Sequence, residues 1–284
     1  MEQKIKFDLK QIKRYSDFEN KVDDYYVKYI FQRELLDLKG YCHFLKKGDQ
    51  DDFRKILGIM DWVHKHTIHN GYRSGEVCSM DARYLLEVCN KESGLTCLMI
   101  AVVMQELCLS EGYCCHIVQT KSSDPCDLNS HWVVEVYIRG REWIMFDPTY
   151  NIYCVSNQKA LSIYEIRNAI VHNKSYIIIN QGCNYQMSDN EYRSLQIETY
   201  FQFDMFLKNT YNTFFQEKQK RINISPNGFD GEDYRLKRFQ EEKHLFSCEE
   251  CKILEHQFEI THYTHDISCL YQQPVFLYEV TNYA

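Results

Sequence analysis

The sequence has no uninterrupted run of about 18 apolar residues, the shortest length from which a membrane-spanning helix is built. It also has no basic excess, since 33 Lys and Arg face 40 Asp and Glu and the net charge is -7. Nucleic-acid-binding proteins usually carry a basic patch for the phosphates. No repeat or low-complexity tract is evident. We therefore expect a globular protein with neither a membrane nor a nucleic acid as its partner.

The amino-terminal segment Met1–Lys10 lacks the continuous apolar stretch of a secretion signal, because charged and apolar residues alternate in it. The chain contains 13 cysteines, an odd number that fits poorly with a complete disulfide framework. Free thiols are typical of reducing compartments. The sequence thus predicts a cytoplasmic protein with reduced cysteines.

Three residues suited to acyl-transfer chemistry follow one another along one stretch of the chain. Cys97 precedes the apolar run Leu98–Met104, which is typical of a buried helix with the thiol in its first turn. His131 opens one strand-like segment and Asp147 closes the next. The tripeptide Arg139–Arg141 between these segments predicts a tight hairpin.

The spacing suits a Cys-His-Asp catalytic triad. A cysteine attacks a carbonyl as its thiolate, which a helix amino terminus and a neighbouring imidazole can stabilise. A carboxylate then fixes the tautomer of that imidazole. Taken singly, Cys97 could be a small buried hydrophobe, His131 a surface residue and Asp147 part of an ordinary Asp-Pro turn. The order helix, strand, strand favours catalysis, with Cys97 as nucleophile, His131 as base and Asp147 as the residue that orients the base.

With these residues, the stretch from Trp62 to Asn180 resembles the transglutaminase-like superfamily in its bacterial form. That superfamily contains transglutaminases, peptide N-glycanases and microbial cysteine hydrolases. Several blocks carry the resemblance: Ser93–Met104, Leu109–Tyr113, Ser130–Val136, Trp143–Tyr150, Leu161–Arg167 and Tyr176–Asn180. The resemblance implies an α+β fold with a papain-like core, in which the helix of Cys97 packs on an antiparallel β-sheet that carries His131 and Asp147. In one departure, Gly94 lies three residues before Cys97, where many relatives have a glycine two residues before the cysteine.

The triad and the resemblance imply cysteine-dependent acyl transfer on a peptide or carboxamide substrate through a thioester, without a cofactor. Hydrolysis is the preferred outcome because no sequence feature marks an access tunnel for an amine. Amine transfer, as in a transglutaminase, is the alternative. A non-catalytic peptide- or protein-binding module that retains the fold is another, and a peptide N-glycanase is a third. The backbone N–H of Cys97 is the first candidate donor to an oxyanion, and Asn90 is a candidate for the second.

Around this stretch, apolar spacing predicts three helices, over residues 20–39, Asp49–His69 and Glu76–Cys89, the last with Ser79 as its cap. A Tyr- and Phe-rich helix is predicted over Ser188–Gln219, followed by a linker over Ile222–Gly231. These features divide the chain into a transglutaminase-like catalytic domain with amino-terminal helices, residues 1–220, and a carboxyl-terminal extension packed on it, residues 221–284.

Two groups of possible metal ligands lie outside the triad. A Cys-x-x-Cys pair suits one edge of a tetrahedral zinc site, which a further cysteine and a histidine could complete: Cys248, Cys251, Cys269 and His265. The second half of this group lacks a regular spacing, so free thiols and surface histidines are the simpler interpretation. The second group is predicted to be packing and solvated surface, with a metal or substrate role as the alternative: Trp62, His64, His66 and His69.

Overall fold

The computed structural model describes residues 2–19, 25–45, 51–71, 77–127, 129–182, 187–213, 220–245 and 261–277. Its α-helices are α1 (Glu2–Arg14), α2 (Arg33–Leu36), α3 (Asp52–His66), α4 (Ala82–Tyr84), α5 (Asn90–Ser93), α6 (Cys97–Ser110), α7 (Ile163–Val171), α8 (Asp189–Thr199) and α9 (Gly231–Glu242). Short 3₁₀ helices cover Asp37–Cys42, Lys243–Leu245 and Ile267–Leu270, and a π-helical segment covers Leu85–Cys89.

The strands are β1 (Lys28–Ile30), β2 (Cys115–Lys121), β3 (Ser130–Ile138), β4 (Glu142–Phe146), β5 (Ile152–Ser156), β6 (Lys159–Ala160), β7 (Ile177–Asn180), β8 (Gln202–Phe206), β9 (Lys208–Asn209), β10 (Arg221–Ile224), β11 (Thr261–Thr264) and β12 (Val275–Leu277). A six-stranded sheet has the order β11-β10-β8-β2-β3-β4 and is antiparallel except for the pair β10 and β11. Two three-stranded sheets, β12-β1-β9 and β6-β5-β7, lie beside it. The fold is thus α+β.

Helix α6 is the buried centre of this architecture. Every residue from Met99 to Ser110 is buried, as expected for a helix that is apolar on all sides. It packs on β2 and β3 and against α3. In the register of the sheet, Thr120 pairs with His131 across β2 and β3. The helix that begins with Cys97 therefore packs on the strand that carries His131, as the resemblance implies.

The helix predictions before Cys97 are confirmed in part. Helix α3 begins after Asp51, whose carboxylate accepts the backbone N–H of Arg54. The third predicted helix starts later than expected, because its cap is Asp81 and not Ser79, whose hydroxyl donates to the Asp81 carboxylate. The prediction of a helix over residues 20–39 is confirmed only from Arg33 onward, where α2 and a 3₁₀ helix lie. Residues 28–30 form strand β1 instead, where aromatic and β-branched side chains pack well in a sheet.

Within the described residues up to 213, the prediction of one long helix over Ser188–Gln219 is wrong after Thr199. A capping box at Ser188 starts α8, but the next residues form β8, all five of which are buried in the central sheet. The predicted linker Ile222–Gly231 is wrong in its first part, which belongs to β10 beside β8. The division of the chain at residue 220 stays a prediction. Among the described residues, no helix has both the length and the apolarity to cross a membrane.

Candidate active site

Cys97 is the first residue of helix α6, as predicted. Thr96 caps this helix, and its hydroxyl oxygen accepts the backbone N–H of Met99 at 3.4 Å. The first N–H groups of a helix have no partner within it and carry partial positive charge, which favours an anion at that end. The Cys97 thiol is partly exposed, whereas most of the described cysteines are buried. A thiol in this position is reachable and lies where a thiolate is favoured.

His131 lies on β3, Asp147 directly follows the adjacent strand β4, and the two form a buried hydrogen-bonded pair. Nε2 of His131 donates to Oδ2 of Asp147 at 2.7 Å. The exposed fractions of the two residues are 4% and 0%. This bond occupies Nε2, so Nδ1 is the ring nitrogen that remains for a thiol.

The Cys97 side chain interacts with this same imidazole. Burial alone lowers the pKa of His131, but the charge and the hydrogen bond of Asp147 raise it. A hydrogen bond and the charge of Cys97 raise it further, and the resulting pKa is about 10. An imidazole with so high a pKa stays protonated beside a thiolate. The structure thus brings the three residues of the predicted triad into contact.

Three further donors surround the Asp147 carboxylate. The backbone N–H groups of Thr149 and Tyr150 donate to Oδ1 at 2.9 and 3.3 Å, because the Asp-Pro-Thr-Tyr turn curls around the side chain. The hydroxyl of Tyr192 donates to Oδ2 at 2.9 Å. Together with His131, these donors compensate for the burial of a charged group. The carboxylate is therefore held in one position by both its own turn and a remote helix.

Aromatic rings line the imidazole of His131. The ring of Tyr150 lies 5.4 Å from that of His131 between centroids, 5.8 Å from that of Tyr192 and 6.1 Å from that of His69. Tyr150 and His69 are partly buried, and Tyr192 is buried. Neighbouring rings therefore connect the imidazole of His131 to the loop that contains His69.

Asn90 is not placed to stabilise an oxyanion, because its amide holds a neighbouring loop. Its Oδ1 accepts the backbone N–H of Ile68 at 2.7 Å, and its Nδ2 donates to the carbonyl of His66 at 2.8 Å. The interpretation of Asn90 as the second donor is therefore corrected. Its role is to fix the loop that follows α3.

Two residues of this site were not predicted from the sequence as part of it. Tyr192 was assigned to an aromatic packing face, and His69 to a cluster of packing and surface residues. Of the other members of that cluster, Trp62 stacks on His66 at 4.2 Å, whereas Nδ1 of His64 donates to the carbonyl of Pro148, in the turn that holds Asp147, at 3.2 Å. No local signal distinguishes Tyr192 from the other tyrosines of its segment.

The possible zinc ligands are only partly within the described residues. Cys248 and Cys251 lie outside them. Cys269 is buried, and Nδ1 of His265 donates to the carbonyl of Ser225 at 3.0 Å. Within the part of the chain that the structure describes, no three His, Cys, Asp or Glu side chains are arranged to hold a metal ion. The choice between free thiols with surface histidines, which the sequence favours, and a zinc site stays a prediction.

Comparison with known proteins identifies the segment that contains the site. Residues 39–148 match the family model of the transglutaminase-like superfamily, and this range includes Cys97, His131 and Asp147. A solved structure described as a "Putative Cysteine Protease" from Cytophaga hutchinsonii is similar with 15% identity and a TM-score of 0.33, over 54% of this chain and 53% of that chain. The match thus spans about half of that protein. No curated protein matches. The segment 39–148 belongs to the transglutaminase-like superfamily.

Proposed function

We propose that this protein is a cysteine enzyme that transfers the acyl group of a peptide or carboxamide through a thioester on Cys97. One observation carries the proposal. A partly exposed thiol at a helix amino terminus contacts an imidazole that a buried carboxylate holds by its other nitrogen. Each of these features promotes the formation of a thiolate and imidazolium pair.

In the proposed reaction, His131 takes the thiol proton and the sulfur attacks the substrate carbonyl, whose π electrons move to oxygen. The backbone N–H of Cys97 donates to that oxygen. When the carbonyl re-forms, the C–N bond breaks and its electron pair leaves with the nitrogen, which takes the proton from His131. Water, deprotonated by His131, then attacks the thioester. The C–S bond breaks, the acid is released and the thiol is restored.

Water is the proposed acceptor of the acyl group, which makes the enzyme a peptidase or amidase. A lysine-like amine would make it a transglutaminase by the same first half-reaction. We favour water because it needs no binding site of its own, whereas an amine acceptor needs access to the thioester. A protein-binding module with the same fold is the alternative, and it predicts no acylation of Cys97 at all.

The first test uses p-nitrophenyl acetate, an activated ester that does not depend on the natural substrate. The wild type is expected to release p-nitrophenolate in a burst and to carry an acetyl group on Cys97, located by mass spectrometry of acid-quenched protein. Cys97→Ser should give no burst, and Asp147→Ala should give a slow one. If the wild type is not acetylated, the binding-module alternative replaces the enzyme.

A second test separates the acceptors. A peptide library is incubated with the wild type and with Cys97→Ser, in the presence and absence of a primary amine. Peptide cleavage or deamidation that depends on Cys97 supports hydrolysis. Incorporation of the amine in preference to water would overturn hydrolysis as the main reaction and identify a transglutaminase.

A further inference from the structure

The loop after helix α3 lies directly against the turn that precedes the nucleophile. The carbonyl of Ile68 accepts the N–H of Leu95, and the N–H of Asn70 donates to the carbonyl of Leu95, both at 2.7 Å. His69 is therefore paired with Leu95 in a parallel bridge, two residues before Cys97. The side chain of Asn70 adds a hydrogen bond to the carbonyl of Ser93 at 2.8 Å.

Gly94 permits this close approach. Its φ is +75°, a left-handed conformation that favours glycine. A Cβ atom at this position would lie 2.9 Å from the carbonyl oxygen of Ile68. Together with the two hydrogen bonds from Asn90 described above, these contacts fix the backbone of His69 relative to the first turn of α6.

The side chain of His69 belongs to the same cluster as the triad. Its ring adjoins that of Tyr150, which adjoins His131, and it interacts electrostatically with both His131 and Asp147. Its neighbour Ile68 is exposed at 61%, so this loop lies at the protein surface. His69 thus combines a fixed backbone, a position beside the nucleophile and partial exposure.

We propose that His69 is a catalytic residue that donates a ring N–H to the oxygen of the tetrahedral intermediate on Cys97. This inference rests on the proposed acyl-transfer function. The backbone N–H of Cys97 and the ring of His69 would together form a two-donor oxyanion hole. His69 thus takes the role of second oxyanion donor for which Asn90 was the candidate, and Asn90 helps to position the loop of His69.

The electrostatics of the site suit this role. Burial lowers the pKa of His69, the positive charge of His131 lowers it further, and Asp147 opposes both. The lowered pKa favours the neutral form of His69 beside a protonated His131. A neutral imidazole still donates one N–H, and it adds no second positive charge that would repel the imidazolium of His131.

The test compares two reactions of Cys97 in the full-length wild type, His69→Ala and His69→Gln. Acetylation by p-nitrophenyl acetate passes through an oxyanion. Alkylation by iodoacetamide displaces iodide at a saturated carbon and forms none, so it depends only on the thiolate. Loss of one oxyanion donor typically slows acyl transfer by about 100-fold or more. We expect His69→Ala to slow the burst by about that factor and to change the alkylation rate less than about two-fold.

His69→Gln restores an N–H donor and should recover much of the burst rate. A burst in His69→Gln as slow as in His69→Ala, an unchanged burst in His69→Ala, or an equal loss of alkylation and acetylation would each overturn the donor role. In the last case His69 acts on the thiolate or only packs on Tyr150. Labelling of the buried Cys115 reports a variant that has unfolded. A wild type without any burst refutes the proposed function itself, and the donor role with it.

Discussion

The hydroxyl of Tyr192 donates to Oδ2 of Asp147 at 2.9 Å, the same oxygen that receives Nε2 of His131 at 2.7 Å. Tyr192 lies on α8, outside the segment 39–148 that matches the superfamily. A helix outside this matched segment thus supplies the fourth hydrogen-bond donor to the buried carboxylate of Asp147. The position of Asp147, and through it that of the imidazole, depends on this added element.

Tyr192→Phe is expected to lower both stability and activity. The buried Oδ2 of Asp147 loses a donor, which should lower the free energy of unfolding by about 1–3 kcal/mol, measured by urea unfolding. Acetylation of Cys97 should slow because the carboxylate is held less firmly. Tyr176→Phe is the matched control, since its buried hydroxyl donates to Gln196 at 2.7 Å and not to Asp147. It should lose comparable stability and keep the acetylation rate. Equal rates of Cys97 acetylation in Tyr192→Phe and Tyr176→Phe would contradict a role for Tyr192 in the site.

Cys97 should react with iodoacetamide faster than the other described cysteines at mildly acidic pH. The exposed Cys78 and Cys126 are the appropriate comparison, because access to them is greater. Slight desolvation and the negative charges of Glu241 and Asp124 raise the pKa of Cys126, which makes its thiolate scarcer. Replacement of His131 by Ala removes the imidazolium and should slow the labelling of Cys97 by about ten-fold or more. Site-resolved mass spectrometry measures each rate. Labelling of Cys97 that does not respond to this change would mean that His131 does not activate the thiol.

The buried pair of His131 and Asp147 should make stability fall in alkaline solution. The pKa of His131 is about 10 in the folded state, against about 6.5 for an unperturbed histidine. The contribution of protonated His131 to the free energy of unfolding is fully present below about pH 6.5. It decreases as pH rises and is lost above about 10, because between these pH values the folded state binds a proton that the unfolded state has released. Between these limits a protein with His131 should lose about 2–4 kcal/mol more than one with His131→Gln, measured by urea unfolding at each pH. Both proteins carry Cys97→Ala, because the ionisation of that thiol depends on His131; the remaining cysteines and the tyrosines titrate in both proteins and cancel. If the free energy of unfolding changed with pH in the same way in both proteins, the raised pKa of His131 would be ruled out.

Asp8 on α1 is predicted to destabilise the protein at neutral pH. It is 5% exposed, and burial raises its pKa to about 6; Lys4 lowers it in part, and nearby carboxylates raise it further. An acid with a raised folded pKa costs no stability below about pH 3.9; the cost grows between that pH and about 6 and is fully present above it. Asp8→Asn should therefore increase the free energy of unfolding by about 1–2 kcal/mol at pH 7 and have little effect near pH 4. Thermal unfolding at both pH values checks this. A loss of stability at pH 7 would show that the charge is favourable where it lies.

Local patterns in the sequence suffice to predict the elements nearest the chemistry. The apolar run after Cys97 indicates a buried helix, and period-two segments indicate β3 and β4 with their hairpin. These patterns work because side-chain periodicity reports directly which face of an element is buried. The order of nucleophile, base and carboxylate is likewise readable, since each lies at an end of one of these elements.

Patterns fail where packing between distant segments overrides them. Residues 28–30 form a strand because β9 and β12 lie on either side to pair with it, and residues 202–206 form one because β2 and β10 do. These partner strands lie far from the two segments along the chain, so no local pattern revealed the pairing and helical spacing gave the wrong prediction in both places. Pairing within the sheet determines the secondary structure of these segments, because the N–H and C=O groups of a buried backbone need hydrogen-bond partners.

The sequence alone thus determined the helix of Cys97, the two strands beside it and which three residues meet at the candidate site. Only the tertiary structure decided which further groups surround them. Tyr192 reaches Asp147 from 45 residues away along the chain. His69 comes to lie beside Cys97 through a bridge to Leu95. Hydrogen bonds of this kind depend on how helices and loops dock in space, and no short-range periodicity records that docking.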